Sequence, residues 1–188
     1  MMNRALASRT RSLRFALFII VALTLLAGCA TEPRVVTFTE LTARSFTRLV
    51  EANTSYRQVT MPRVEILSGL RWFTVRTTEN IPGWFGNAFY NCVTKTIYID
   101  DSLRLASPEL ADSVLAHELT HHAQCENGWL GTPCDREREA YKVQRAYIEG
   151  LRARNPSPPY RWTSYEAVLG SLSAGEAESC ARYGVPRT

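Results

Sequence analysis

Histidine is scarce in this chain of 188 residues: there are three, and all fall between positions 117 and 122. Acidic residues are missing from the start, none preceding Glu32. Long apolar stretches are missing too, since the most apolar one, Phe15 to Ala27, has 13 residues, short of the roughly 20 that cross a bilayer as a helix. No internal repeat is visible, which excludes solenoid and propeller arrays. With 45% hydrophobic and 21% charged residues the chain has material for one core, so disorder and collagen-like architectures are excluded. The net charge of +4 suggests a nucleic-acid binder until its source is traced: Arg4, Arg9, Arg11 and Arg14 all precede the apolar run. Without them eighteen residues of each sign remain, and no basic footprint for phosphate survives.

Arginines followed by a short apolar run have the form of a signal peptide. The run ends in Leu26-Ala27-Gly28-Cys29, which resembles a bacterial lipobox. That resemblance implies cleavage before Cys29, lipidation of Cys29 by acyl chains such as palmitate, and, with Ala30 rather than aspartate following, sorting to the outer membrane. The expected organisation is a signal peptide over 1–28, a lipidated tether over 29–36 and a single domain over 37–188, held in the cell envelope and facing the periplasm or exterior. Cys92, Cys125, Cys134 and Cys180 remain as an even set in an oxidising compartment, which suits two disulfides. Only eight residues separate Cys125 from Cys134, so these are expected to pair, leaving Cys92 with Cys180. A structural zinc site is less suited, because the spacing has no C-x-x-C pair.

Thr37-Phe38-Thr39-Glu40 has the form of a capping box opening a helix through Val50. Val64 to Leu67 and Trp72 to Val75 are β-prone and are expected as strands, and Ala88 to Asn91 with Thr96 to Ile99 as a hairpin in which Ile97 and Ile99 share a face. Turns are expected at Pro82-Gly83 and Gly86-Asn87. Ser107-Pro108 starts a helix to about Gln124, stopped by Asn127-Gly128, and Thr132-Pro133-Cys134-Asp135 caps another to about Leu151. After Asn155 to Pro159, Thr163 to Glu166 opens a last short helix carrying Val168 and Leu169. The fold class is α+β.

The three histidines lie in His117-Glu118-Leu119-Thr120-His121-His122. His117 and His121, four apart on a helix, project from one face and can reach one tetrahedral zinc. Glu118, about 100° round the helix, cannot easily join them but can act as general base toward water at the metal's open position. His122 projects away and reads as a packed or supporting histidine. Glu137 lies on one stripe with Ala140, Tyr141, Gln144, Tyr147, Ile148 and Leu151, all within about 80° of it, and a carboxylate placed there needs a cation. Glu139, about 200° from Glu137, is expected as a solvated partner of basic residues.

This segment, from about Thr96 to Leu151, resembles the gluzincin branch of the zincin metallopeptidases. The resemblance implies Glu137 as third zinc ligand beside His117 and His121, within an E-x-x-A pattern in which Tyr141 takes the place of the usual acidic or amide residue. It also implies a strand near Thr96 to Ile99 serving as an edge on which a peptide or protein substrate pairs. Tyr141, Tyr98 and Tyr90 are candidate oxyanion donors. The expected function is zinc-dependent peptide hydrolysis by a lipid-anchored envelope enzyme, without nucleic acid. The alternative is a non-catalytic envelope lipoprotein that binds or assembles partners around a structural or degenerate zinc motif.

Overall fold

The computed structural model describes residues 34–35, 40–78, 87–159 and 161–183. The expected signal peptide, the lipobox with Cys29, the Thr37 end of the first capping box and the turns at 82–83 and 86 lie outside them. In chain order the elements are β1 (Arg34–Val35), α1 (Glu40–Asn53), β2 (Arg63–Leu67), α2 (Gly69–Thr78), β3 (Ala88–Asn91), β4 (Thr96–Asp100), α3 (Asp101–Ala106), α4 (Pro108–Glu126), α5 (Pro133–Arg154) and α6 (Tyr165–Arg182). The α+β class holds. Among the described residues no helix is long and apolar enough to cross a membrane.

Among the described residues four strands run in the order β1-β2-β4-β3. β2 and β4 are parallel, Val64 opposite Ile97 and Ile66 opposite Ile99, while β3 and β4 form the expected antiparallel hairpin with Tyr90 opposite Ile97. The sheet departs from expectation in two ways. Arg34 and Val35, read as tether, pair antiparallel with Ile66 and Glu65. The edge strand beside the histidine helix is β3, because β4 is bonded on both sides; hairpin partners are visible in sequence, but the parallel pairing with β2 is not.

Alternation along the strands separates two apolar layers. Val64, Ile66, Ile97 and Ile99 face Leu115 and Leu119 of α4 together with Phe46 and Val50 of α1. At roughly 1.5–3 kcal/mol for each fully buried side chain, this layer is the main stabilising term. Leu67, Phe89 and Tyr98 form the other layer with Trp72. Trp72 belongs to α2, so the expected strand at 72–75 is a helix. Gly69, at φ +50, turns the chain out of β2, and Thr74 and Thr78 return their hydroxyls to the carbonyls of Leu70 and Thr74. A β-prone run of four yields here to burial of one indole, while Phe73 stays 64% exposed.

The helices carrying the histidines and Glu137 start and stop where their caps require. The Ser107 hydroxyl accepts from the Leu110 amide ahead of Pro108, and Gly128 at φ +62 lets α4 end. Thr132 and Asp135 form a reciprocal capping box at the start of α5. The last helix begins one residue later than expected, on Ser164, and at 18 residues is not short. It packs on α5 through Ile148, Tyr165 and Leu172.

The disulfides are Cys92–Cys125 and Cys134–Cys180, with Cα separations of 6.1 and 4.5 Å. The expected pairing of Cys125 with Cys134 and Cys92 with Cys180 is therefore wrong. Cys125, in the last turn of α4, faces the β3–β4 turn, whereas Cys134, fully buried in the first turn of α5, faces α6. The capped connection between α4 and α5 closes without a covalent link, and the bridges instead tie the hairpin to α4 and α5 to α6.

Candidate metal centre

Packing of α4 against α5 sets the geometry of the centre. Four-residue spacing puts the His117 and His121 rings edge to face, 4.8 Å between centroids, with their Nε2 atoms 3.2 Å apart. Across the helix pair, Glu137 presents one carboxylate oxygen 3.5 Å from His117 Nε2 and the other 3.4 Å from His121 Nε2. One ligand atom from each residue lies within 4.8 Å of the others, close enough to hold a metal ion. Glu137 is 21% exposed and the two rings are buried.

Two buried glutamines decide which ring nitrogens carry protons. Ser113 donates its hydroxyl to the Leu110 carbonyl and so accepts from Gln144 Nε2 at 3.2 Å. This turns Gln144 Oε1 toward His117 Nδ1, 3.1 Å away. Gln124 Nε2 donates to the Arg136 carbonyl and to Glu139, which turns its Oε1 toward His121 Nδ1 at 2.8 Å. An amide oxygen only accepts, so both rings carry hydrogen on Nδ1 and turn Nε2, the atom left to bind a cation, toward the same point. Two nitrogen lone pairs and a carboxylate converging there repel one another unless a positive charge lies among them. Supporting acceptors of this kind are what metal-binding histidines require, and the donor set fits a divalent cation.

The same groups compete for positive charge in their titration. Burial pushes the His121 imidazole down to about 4, aided by His117. Burial also opposes charging of His117, but the Glu137 contact and the Glu118 charge outweigh it and raise this imidazole. Against the cost of burial, His117 and His121 draw the Glu137 carboxyl down to about 2.

Glu118 sits beside this group, 7% exposed. Burial raises its carboxyl to about 7, opposed by His117 and by the backbone N–H that Tyr90 donates from β3. Tyr141 of α5 stacks edge-on against His117 at 4.6 Å, its hydroxyl bonded to the Ser179 side chain and seated against Gly175. The hydroxyls of the other two candidate tyrosines are placed differently. Tyr98 packs with Phe89 on the far face of the sheet, and the Tyr90 hydroxyl is bonded to His122 Nδ1 at 3.0 Å. His122 also meets Thr60, 3.2 Å from its Nε2, so it is a packed histidine outside the converging group.

Glu139 corrects a second expectation. Instead of pairing with basic residues in solvent, it accepts from the Tyr56 hydroxyl at 2.9 Å and from Gln124, and so backs the amide that orients His121. Gln124, Gln144 and Ser113 were not singled out from the sequence. A glutamine on the otherwise apolar stripe of Glu137 was the signal for Gln144, because a buried amide demands partners. The centre opens into a cleft of about 960 Å³ bounded by β3, α4, α5 and α6.

A family model described as a domain of unknown function, DUF6647, matches residues 37–165. The chain belongs to the DUF6647 family. The DUF6647 match takes in β2 to α5 and with them His117, Glu118, His121, Glu137, Gln124 and Gln144. Most of α6, including Gly175, Ser179 and Cys180, lies beyond the matched residues. No curated protein and no solved structure matches the chain.

Proposed function

We propose that this protein is a zinc-dependent peptidase of the zincin type, anchored to the bacterial envelope through lipid on Cys29. The observation that carries the reading is the convergence of two oriented Nε2 atoms and the Glu137 carboxylate next to a buried Glu118 held by the Tyr90 backbone N–H. Two histidines and one glutamate form a donor set characteristic of catalytic zinc. The ion, when bound by His117, His121 and Glu137, supplies Lewis acidity to a carbonyl and makes water a usable nucleophile near neutral pH.

Glu118 does the proton work. Its carboxylate, held by the Tyr90 amide, takes a proton from the attacking water as the water oxygen bonds to the scissile carbonyl carbon. It gives that proton to the amine nitrogen as the C–N bond breaks. Tyr141, whose phenol burial keeps protonated and whose oxygen is held by Ser179, donates to the carbonyl oxygen as negative charge develops there. The substrate is an extended peptide that pairs along β3, the strand that ends the sheet on this side. The two disulfides suit an exported location.

Glu118→Gln tests the reading. It keeps shape and helix propensity but removes the base, so metal content stays near one equivalent while cleavage of unstructured casein falls by roughly 100- to 10,000-fold. Undiminished, chelator-insensitive turnover refutes it.

A further inference from the structure

Among the described residues, two buried side-chain polar atoms have no partner, Trp129 Nε1 and Arg136 Nε, and both residues line the cleft at the metal group. Both atoms are donors, so acceptors are what this part of the cleft lacks. Arg136 is the more telling of the two. Acidic residues flank it in sequence, yet each is engaged elsewhere: Asp135 with Thr132 and Arg138, Glu137 with the two histidines, Glu139 with Tyr56 and Gln124. Its side chain makes no hydrogen bond or ion pair among the described residues, and only its backbone is bonded, to Thr132 and Gln124.

Stability of the helix does not explain a cation here. Arg136 lies in the first turn of α5, where the helix dipole favours negative charge. Arg136 lines the cleft together with Tyr90 of the edge strand and with Glu118, His121 and Glu137. A half-buried guanidinium with free donors binds a carboxylate in fork geometry.

We infer that Arg136 is a specificity-determining residue that binds a carboxylate of the substrate, so that the cleft selects acidic peptides. The inference rests on the proposed peptide-cleaving function but needs neither metal nor turnover to be tested. The carboxylate has two sources, an acidic side chain or a free C-terminus, and recognition is the same chemistry for both.

The test is equilibrium dialysis of the full, metal-free protein against three octapeptide pools read by mass spectrometry. One pool is end-blocked with a single Glu, one is end-blocked with Gln in its place, and one has no acidic side chain but a free C-terminus. Wild type is expected to retain the Glu or the free-terminus pool about tenfold or more over the blocked Gln pool, the charge-assisted contact setting that scale. The pool retained identifies the source. In Arg136→Gln the ratio falls to within about twofold, and Arg136→Lys, which keeps charge but not the fork, lies between. Arg136→Met, which keeps the apolar stem, carries the comparison if the glutamine variant does not fold. Equal retention of all pools by wild type, or an unchanged ratio in both neutral variants, overturns the inference. An Arg136-dependent ratio in a protein that cleaves nothing sinks only the peptidase reading, and cleavage without the ratio sinks only this one.

Discussion

Gln144→Leu isolates the part of the centre that never touches the metal. The amide is 4% exposed and bridges His117 Nδ1 at 3.1 Å to Ser113 Oγ at 3.2 Å. Leucine fills similar space, and at that burial water cannot stand in. The His117 N–H is then unsatisfied with or without metal, which costs roughly 1–3 kcal/mol of fold stability. For a domain of this size that is a fall of about 2–4 °C in melting temperature per kcal/mol. The effect on metal is separate, because without the Gln144 acceptor nothing holds the proton on Nδ1 or the ring in register with His121. Loss of such supporting contacts typically weakens metal binding 10- to 100-fold, or about 1.4–2.8 kcal/mol. Competition with a chelating dye for Zn²⁺, with melting followed in the same samples, reads both. A variant that melts lower yet binds zinc as tightly as wild type would show that Gln144 is a packing residue and that the tautomer argument is wrong.

Gly175→Ala places a methyl 2.7 Å from the Tyr141 hydroxyl oxygen, so the ring must move off its seat beside Ser179; casein cleavage should drop while zinc content, measured by mass spectrometry, stays unchanged. Replacing Cys134 and Cys180 together by serine opens a link spanning 46 residues, and the chain-entropy relation puts the loss at about 4 kcal/mol. Urea unfolding checks it, and a midpoint equal to wild type would mean that this bridge constrains nothing.

The histidine pair and Glu137 were legible because both rest on helical period, which is local. One count of residues puts His117 above His121, and another puts Glu137 on the buried stripe of its own helix. What was misread depended on neighbours distant in sequence. Glu139 looked solvated from its own helix because Tyr56, its partner, is 83 residues away. Cysteine spacing suggested a short loop, yet the direction in which each cysteine leaves its helix decided the pairing. Trp72 to Val75 offered four β-prone residues with no period to contradict them, and the sheet had no place for them once β2 paired with β4. Arg136 was unreadable for the same reason, since a charge without a partner is visible only when every neighbour has been placed.

Zinc stoichiometry of the folded protein, together with zinc X-ray absorption, tests most directly whether His117, His121 and Glu137 form one metal centre. One equivalent of zinc is expected in wild type, in a shell of two imidazoles and a carboxylate. Occupancy should be lost in His117→Ala and Glu137→Gln and kept in Glu139→Gln, where an amide oxygen can still accept from Tyr56. A folded wild-type protein that takes up no zinc, or occupancy that survives Glu137→Gln and fails in Glu139→Gln, would contradict the assignment of the centre.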